Sequence, residues 1–339
     1  MSLDTLALVL RRIGHYLVEN PQEKVELVWH GGEPLLLGHD FFLRALELQH
    51  KYCDGALGRL SHSIQSNITL VDKGFVKVFR QMKVSGLGTS FEPIPHLRGF
   101  GATRDSDTYN RKFIDSVALL EESGINWSYI YVVTKRSLPL AEKLFYFLTN
   151  FTLHGSLMLN PVLIYGEDVH GLQITQSEYA DFLGEFFKLW WLKRGSVPDV
   201  VPFIDYLSLY SGRDSGLTCS SAGRCAGTHL YIGPDGSTSQ CGRSADWGII
   251  QYKNIKEAEI SDILSDERRM QIRDRSEILR AGECSGCRFW EMCHGGCPLD
   301  SFIEKHSFAH KSNWCAAKKL FLEKYFEPIT GMRYAMEVK

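Results

Sequence analysis

At 339 residues, 44% hydrophobic and 23% charged, the chain has ordinary globular composition and enough length for a large core. Length suggests two domains, or one barrel with an appended module. A formal net charge of −2 leaves no electrostatic case for a nucleic-acid partner, and no apolar run approaches the roughly 18 residues of a membrane span. Residues 1–20 do not read as a signal peptide. Leu3, Leu6, Val9, Leu10, Ile13 and Leu17 recur at helical spacing, with Arg11 and Arg12 on the polar side, which predicts an amphipathic surface helix. With no export signal the expected compartment is the cytoplasm.

Strands and helices then alternate. A buried strand is predicted over 25–29, then the turn Gly31–Pro34 and a helix near 40–52. A short strand at 63–66 precedes a helix over 72–82, and a strand over 87–92 precedes a Pro- and Gly-rich loop to 107. A helix over 109–122, a β-branched and aromatic strand over 127–134, a helix over 138–150 and a strand over 156–164 complete the run. Such repetition is the signature of a parallel α/β sheet or barrel. Residues 176–191 form a helix with Tyr179, Phe182, Phe186, Phe187 and Trp190 along one stripe; this reads as a face packed on the barrel, with a peptide-binding surface as the alternative. Pro198 and Pro202 mark a linker. From Cys219 onward the texture changes to short strands and turns, an amphipathic stretch over 255–276, and dense cysteines.

Eight of the nine cysteines, at 219, 225, 241, 284, 287, 293, 297 and 315, lie in this last third; Cys53 stands alone and reads as a buried free thiol. The run Cys284-x2-Cys287-x5-Cys293-x3-Cys297 lets neighbouring thiolates converge on one centre while backbone N–H groups reach the sulfurs. Eight cysteines make two sets of four. That is the ligand number of a [4Fe–4S] cube and also of an all-thiolate zinc site. In a reducing compartment disulfides are the weakest reading. His294, inside the run, reads as an exposed spacer. Ten residues separate Cys225 from Gly236 and four more lead to Cys241. The turn tripeptide Pro234-Asp235-Gly236 predicts a hairpin there.

The order Cys-x10-Gly-x4-Cys, gap, Cys-x2-Cys-x5-Cys-x3-Cys, gap, Cys resembles the SPASM domain of radical S-adenosylmethionine enzymes, over Cys219–Cys315. The resemblance implies two auxiliary [4Fe–4S] clusters, one on Cys219, Cys225, Cys241 and Cys297, the other on Cys284, Cys287, Cys293 and Cys315. His30-Gly31-Gly32-Glu33-Pro34 after the first predicted strand looks like the family's GGEP motif, which receives the amino group of S-adenosylmethionine. Gly31, Gly32, Glu33 and Pro34 would then be cofactor-binding, with Ser90 as the family's strand-end serine. Arg98 would be its carboxylate-binding arginine, with Arg104 as a rival. Gln65-Ser66-Asn67 and Asn160-Pro161 resemble the ends of the third and last barrel strands.

The implied architecture is α/β. It comprises a partial parallel β/α barrel lacking its first strand (1–175), a helical linker (176–215), a small cysteine-rich α+β SPASM domain (216–325) and a tail (326–339). The sequence departs from the family in having no Cys-x3-Cys-x2-Cys motif and no cysteine before Cys53. Either the chain is a piece whose radical-generating motif lies upstream, or it is a degenerate homologue. The resemblance implies a maturase that tailors a peptide or protein, supplied with electrons by a flavodoxin or ferredoxin. The alternatives are a non-catalytic protein that binds a peptide or relays electrons, and a zinc-stabilised interaction module. Sulfatase maturases carry an aspartate base after the cysteine matching Cys241, where this chain has Gly242. Asp205, Tyr206, Asp235 and Asp246 are the candidates to replace it.

Overall fold

The computed structural model describes residues 1–150, 155–213 and 216–334. Six strands, β1 (Val25–Trp29), β2 (Leu60–Gln65), β3 (Val84–Ser90), β4 (Trp127–Val133), β5 (Ser156–Pro161) and β6 (Asp199–Val201), follow in that order across one sheet. The described ladders of this sheet are parallel: Val25 faces Leu60, Ile64 faces Leu87, Leu87 faces Trp127 and Ser156 faces Asp199. Parallel neighbours need crossovers. Helices α1 (Leu3–Glu19), α2 (Gly38–Cys53), α3 (Lys73–Gln81), α4 (Ser106–Glu122), α5 (Ala141–Thr149) and α6 (Gln176–Lys193) alternate with the strands. Asp72 and Asp105 start α3 and α4 by accepting the N–H groups of Phe75 and Thr108. Thr175 and Glu178 cap α6 reciprocally.

This is the α/β parallel architecture expected from the sequence, with one strand more than the alternation predicts. The stretch read as a linker holds β6 and the helix α7 (Phe203–Tyr210). Asn160 and Pro161 therefore do not end the last parallel strand. Beyond α7 come α8 (Cys219–Ala222), α9 (Cys225–Thr228), an antiparallel pair β7 (Tyr231–Ile232) and β8 (Thr238–Ser239), then α10 (Gly242–Asp246), α11 (Ile260–Leu264), α12 (Glu267–Ala281), α13 (Pro298–Lys305) and α14 (Cys315–Phe321). The β7–β8 pair is the hairpin expected at Pro234-Asp235-Gly236; Gly236 has φ +89° and Asp235 accepts from the Ser237 backbone. The end of the expected tail, 335–339, lies outside the described residues.

The chain divides into two compact units. One comprises Met1–Ile130 with Leu230–Asp266, the other Tyr131–His229 with the residues from Glu267 onward; β4 passes from the first to the second. In the first unit the apolar stripe of α1 is buried against α2, where Phe42, Ala45 and Cys53 are also buried. A Cβ at Gly14 would lie 2.1 Å from the Tyr52 carbonyl, so only glycine permits that approach. The Cys53 thiol donates to the Leu10 carbonyl, and burial pushes its pKa up to about 11, as suits an inert free thiol. In the second unit all five aromatic residues of the α6 stripe are buried. Phe187 packs on Phe203, Phe321 and Phe326, so this stripe is core.

Candidate functional site

The Gly31–Pro34 turn lies in the first unit at the C-terminal end of β1. Gly31 has φ +105°, and a Cβ on Gly31 or Gly32 would meet no atom within 4 Å, so the glycine backbone faces open space. Glu33 is anchored. It accepts from the Leu35 N–H at 3.0 Å, the Ser66 hydroxyl at 2.7 Å and the Asn67 N–H at 2.8 Å. The bonds from Ser66 and Asn67 tie the end of β2 to the end of β1, and the one from Leu35 fixes the turn itself. A carboxylate offers about four acceptor directions, so room remains for one more donor. Ser66 and Asn67 thus support the turn, whereas Gln65 lies against β3. A Cβ on Gly88 would lie 2.2 Å from Gln65 Oε1, so β3 needs glycine there. Ser90 closes β3. Arg98 is ion-paired through Nε to Glu92, a buried carboxylate that the sequence reading passed over. Burial alone would lower the Arg98 pKa, but Glu92 and Tyr109 reverse this and the net shift is upward. The rival Arg104 donates to the His96 carbonyl.

In the second unit, Cys284, Cys287, Cys293 and Cys315 line one cavity, with Lys311 and Lys319 on its wall. Each reaches it by a local device. Cys284 follows α12, its N–H bonded to the Leu279 carbonyl at 2.8 Å. Cys287 is brought round by a turn in which its N–H reaches the Cys284 carbonyl and Gly286 takes φ +66°. Cys293 follows a 3₁₀ turn, Trp290–Met292. Cys315 opens α14, whose entry is set by its N–H to the Ser312 carbonyl. The thiols feel one another. Burial, and then the negative charge of Cys293, Cys315 and Cys287, pushes Cys284 up to about 11. Cys315 is raised by burial and by Cys293, while Lys319 and Lys311 pull it back. Cys284 and Cys315 thus resist ionising beside the other two thiols, and a thiolate donor set of this kind needs a cationic centre. Among the described residues no three His, Cys, Asp or Glu side chains converge tightly enough to hold one metal ion.

Cys219 opens α8, Cys225 opens α9 and Cys297 immediately precedes α13, all in the second unit. Cys241, the fourth member of that implied set, belongs to the first unit. It caps α10: its sulfur accepts the Ser244 N–H, and the Ser244 hydroxyl accepts the Cys241 N–H at 3.2 Å. His294 is not an exposed spacer. It is half-buried, and its Nδ1–H donates to the Ser221 carbonyl at 2.9 Å, tying the α8 segment to the ligand run. Gly223 makes room for it, since a Cβ there would lie 2.6 Å from His294 Cβ. The sequence reading also missed Arg275 on α12, which is 3% exposed.

Of the four candidate bases, Asp205 is half-buried on α7, and burial pushes its carboxyl up to about 6. Tyr206 is buried, and burial followed by the nearby Cys293 raises its phenol. Asp235 is held by the Ser237 hydroxyl and backbone, which keep it ionised. Asp246 ends α10.

No protein-family model matches the chain. It is 25% identical over 294 residues to the serine-type anaerobic sulfatase-maturating enzyme of Klebsiella aerogenes, taking in 84% of this chain and 70% of that one. It is 22% identical over 339 residues to the cysteine-type enzyme of Clostridium novyi, with 97% and 87% covered. Among solved structures, native anSMEcpe with bound AdoMet superimposes with a TM-score of 0.80 at 21% identity, over 98% of this chain and 90% of that one. Streptococcus suis SuiB bound to the precursor peptide SuiA gives 0.60 at 18% identity, over 93% and 69%. The structural likenesses concern the fold, and they match the α/β architecture described above.

Proposed function

We propose, from the premise that the chain is a homologue of the anaerobic sulfatase-maturating enzymes, which are radical S-adenosylmethionine proteins of the SPASM type, that it is an iron–sulfur protein that acts on a peptide. Cys284, Cys287, Cys293 and Cys315 would hold one [4Fe–4S] cluster and Cys219, Cys225, Cys241 and Cys297 a second. Bound there, the clusters supply one-electron chemistry. The observation that carries this reading is the cavity walled by four cysteines of one unit. One tetrahedral zinc would draw four sulfurs to about 2.3 Å from a single point. A cube puts each thiolate on a different iron and suits sulfurs spread around a cavity.

The Glu33 turn is proposed as the seat of an ammonium group such as that of S-adenosylmethionine. Its support is a carboxylate fixed by three donors with acceptor capacity left over, beside a glycine backbone facing open space. Arg98, held by Glu92, would take part through its remaining N–H groups, and Ser90 lies at the same end of the strands. Peptide binding is proposed because SuiB is known with its precursor peptide and anSMEcpe with the Cp18Cys peptide. Gly242 makes sulfatase maturation a poor fit and tailoring of another peptide a better one. Asp205 is the candidate base, since a carboxyl ionising near pH 6 is poised for proton transfer near neutrality. A flavodoxin or ferredoxin is the proposed electron partner.

The double variant Cys284→Ala/Cys315→Ala tests the quartet. After anaerobic reconstitution it should hold about half the iron of the wild type, four irons belonging to each cube. Equal iron in the two proteins contradicts the assignment.

A further inference from the structure

Arg275 is a permanent cation in the interior of the second unit, and its partners are peculiar. Its Nε–H donates to the Phe308 carbonyl at 2.7 Å. One terminal nitrogen donates to the Gly296 carbonyl at 2.8 Å, and the other to the Gly295 and His310 carbonyls at 2.9 and 2.6 Å. Every one of these acceptors is a neutral backbone oxygen. Among the described residues no carboxylate lies within ion-pair distance of it. Burying a guanidinium without a counter-charge is costly, because carbonyl dipoles solvate the ion but do not neutralise it. Among the groups whose negative charge, when present, favours the guanidinium ion are Cys297, Cys225 and Cys284, followed by Asp300. Those three cysteines come from both proposed ligand sets.

The four carbonyls are also informative. Gly295 and Gly296 lie between Cys293 and Cys297, while Phe308 and His310 belong to the loop that leads into Cys315. The Ser312 N–H to the Gly295 carbonyl, at 2.7 Å, joins the same two loops. One planar fork therefore fixes two ligand-bearing loops, a task for which a lysine has the wrong geometry.

We propose that Arg275 is a positioning residue for the iron–sulfur centres, and that its charge makes the clusters beside it easier to reduce. The inference rests on the iron–sulfur reading above. Thiolate-ligated clusters carry net negative charge, which grows on reduction. A fixed cation at short range, in a medium of low dielectric constant, stabilises the reduced form more than the oxidised one.

The test compares wild type with Arg275→Lys, which keeps the charge and loses the fork, and Arg275→Gln, which loses both. Each protein is reconstituted anaerobically, its iron is counted, and its midpoint potentials are read by titration followed by electron paramagnetic resonance. If the wild type binds no iron, the underlying iron–sulfur reading fails. If it does, R275Q is expected to have a more negative midpoint potential than R275K for at least one cluster, and R275K less iron than wild type. Should R275Q retain no iron while R275K does, the charge requirement stands. Complete loss of iron in both variants, an R275K protein with wild-type iron, or an R275Q protein that keeps iron at the R275K midpoint potentials overturns the proposal.

Discussion

Glu33 shows how much one side chain can hold. Three donors from two segments converge on its carboxylate, and hydrogen bonds to a charged group contribute roughly 1.5–3 kcal/mol each. Glu33→Gln removes the charge but keeps most of the shape. The amide keeps one acceptor oxygen for three donors, so the variant should fold with a stability loss of roughly 3 kcal/mol and bind S-adenosylmethionine at least about tenfold more weakly, about 1.4 kcal/mol, by equilibrium dialysis. Unchanged affinity would take Glu33 out of the binding site. Asp205 and His62 have opposite pH signatures. The Trp29 indole donates to His62 Nδ1 at 3.1 Å, so the ring proton sits on Nε2 and goes to Gln49; burial pushes the pKa down to about 4. Between pH 4 and 6.5 the unfolded chain takes up the proton that folded His62 refuses, so stability rises with pH by about 3 kcal/mol across that window. Asp205, raised from 3.8 to about 6, does the reverse. The folded chain holds the extra proton there, and stability falls as pH rises through the window. Asp205→Asn should therefore gain on the wild type in melting temperature between pH 4 and pH 7. A difference independent of pH contradicts the raised carboxyl.

At the scale of elements, the meeting of α12 with the 293–297 loop is the tightest constraint on the cysteine cavity. Gly295 and Gly296 have φ +82° and +77°, and a Cβ on Gly295 would lie 2.2 Å from Leu279 Cδ1. Gly295→Ala combines backbone strain with overpacking, each costing roughly 1–3 kcal/mol. It should lower the melting temperature and the bound iron together; a variant with wild-type iron shows that the loop can relax. The elements themselves were largely legible. Strands alternate with helices up to β5, and the helices after β2, β3 and β5 start at a capping Asp72, Asp105 and Thr175. β6 was hidden because three residues, Asp199-Val200-Val201, sit between two prolines that read as breakers, and its strand character comes from pairing with β5. Arg275 was hidden for a different reason. It shares α12 with Arg268, Arg269, Arg273 and Arg280, a composition that predicts a solvated helix. Only folding brings the four carbonyls to one of these arginines. The cysteine set was legible because its spacing is a local property of the chain. The support around it, His294 on Ser221 or Ser312 on Gly295, comes from residues distant in sequence.

Across the whole molecule, an α/β sheet carries an anchored glutamate turn, and residues 219–315 carry the eight cysteines proposed as two ligand sets. With no cysteine before Cys53, these 339 residues should release no 5′-deoxyadenosine when reduced and given S-adenosylmethionine. Release of the product would reveal a radical-generating cluster on an unforeseen ligand set. The central claim is that the eight cysteines from 219 to 315 hold two cubes. Iron and acid-labile sulfide counting, joined to Mössbauer spectroscopy on the anaerobically reconstituted wild-type chain, tests it most directly. The account predicts about eight irons with matching sulfide, four to each cube, all in the [4Fe–4S] form. A colourless protein holding two zinc ions and no sulfide would contradict it.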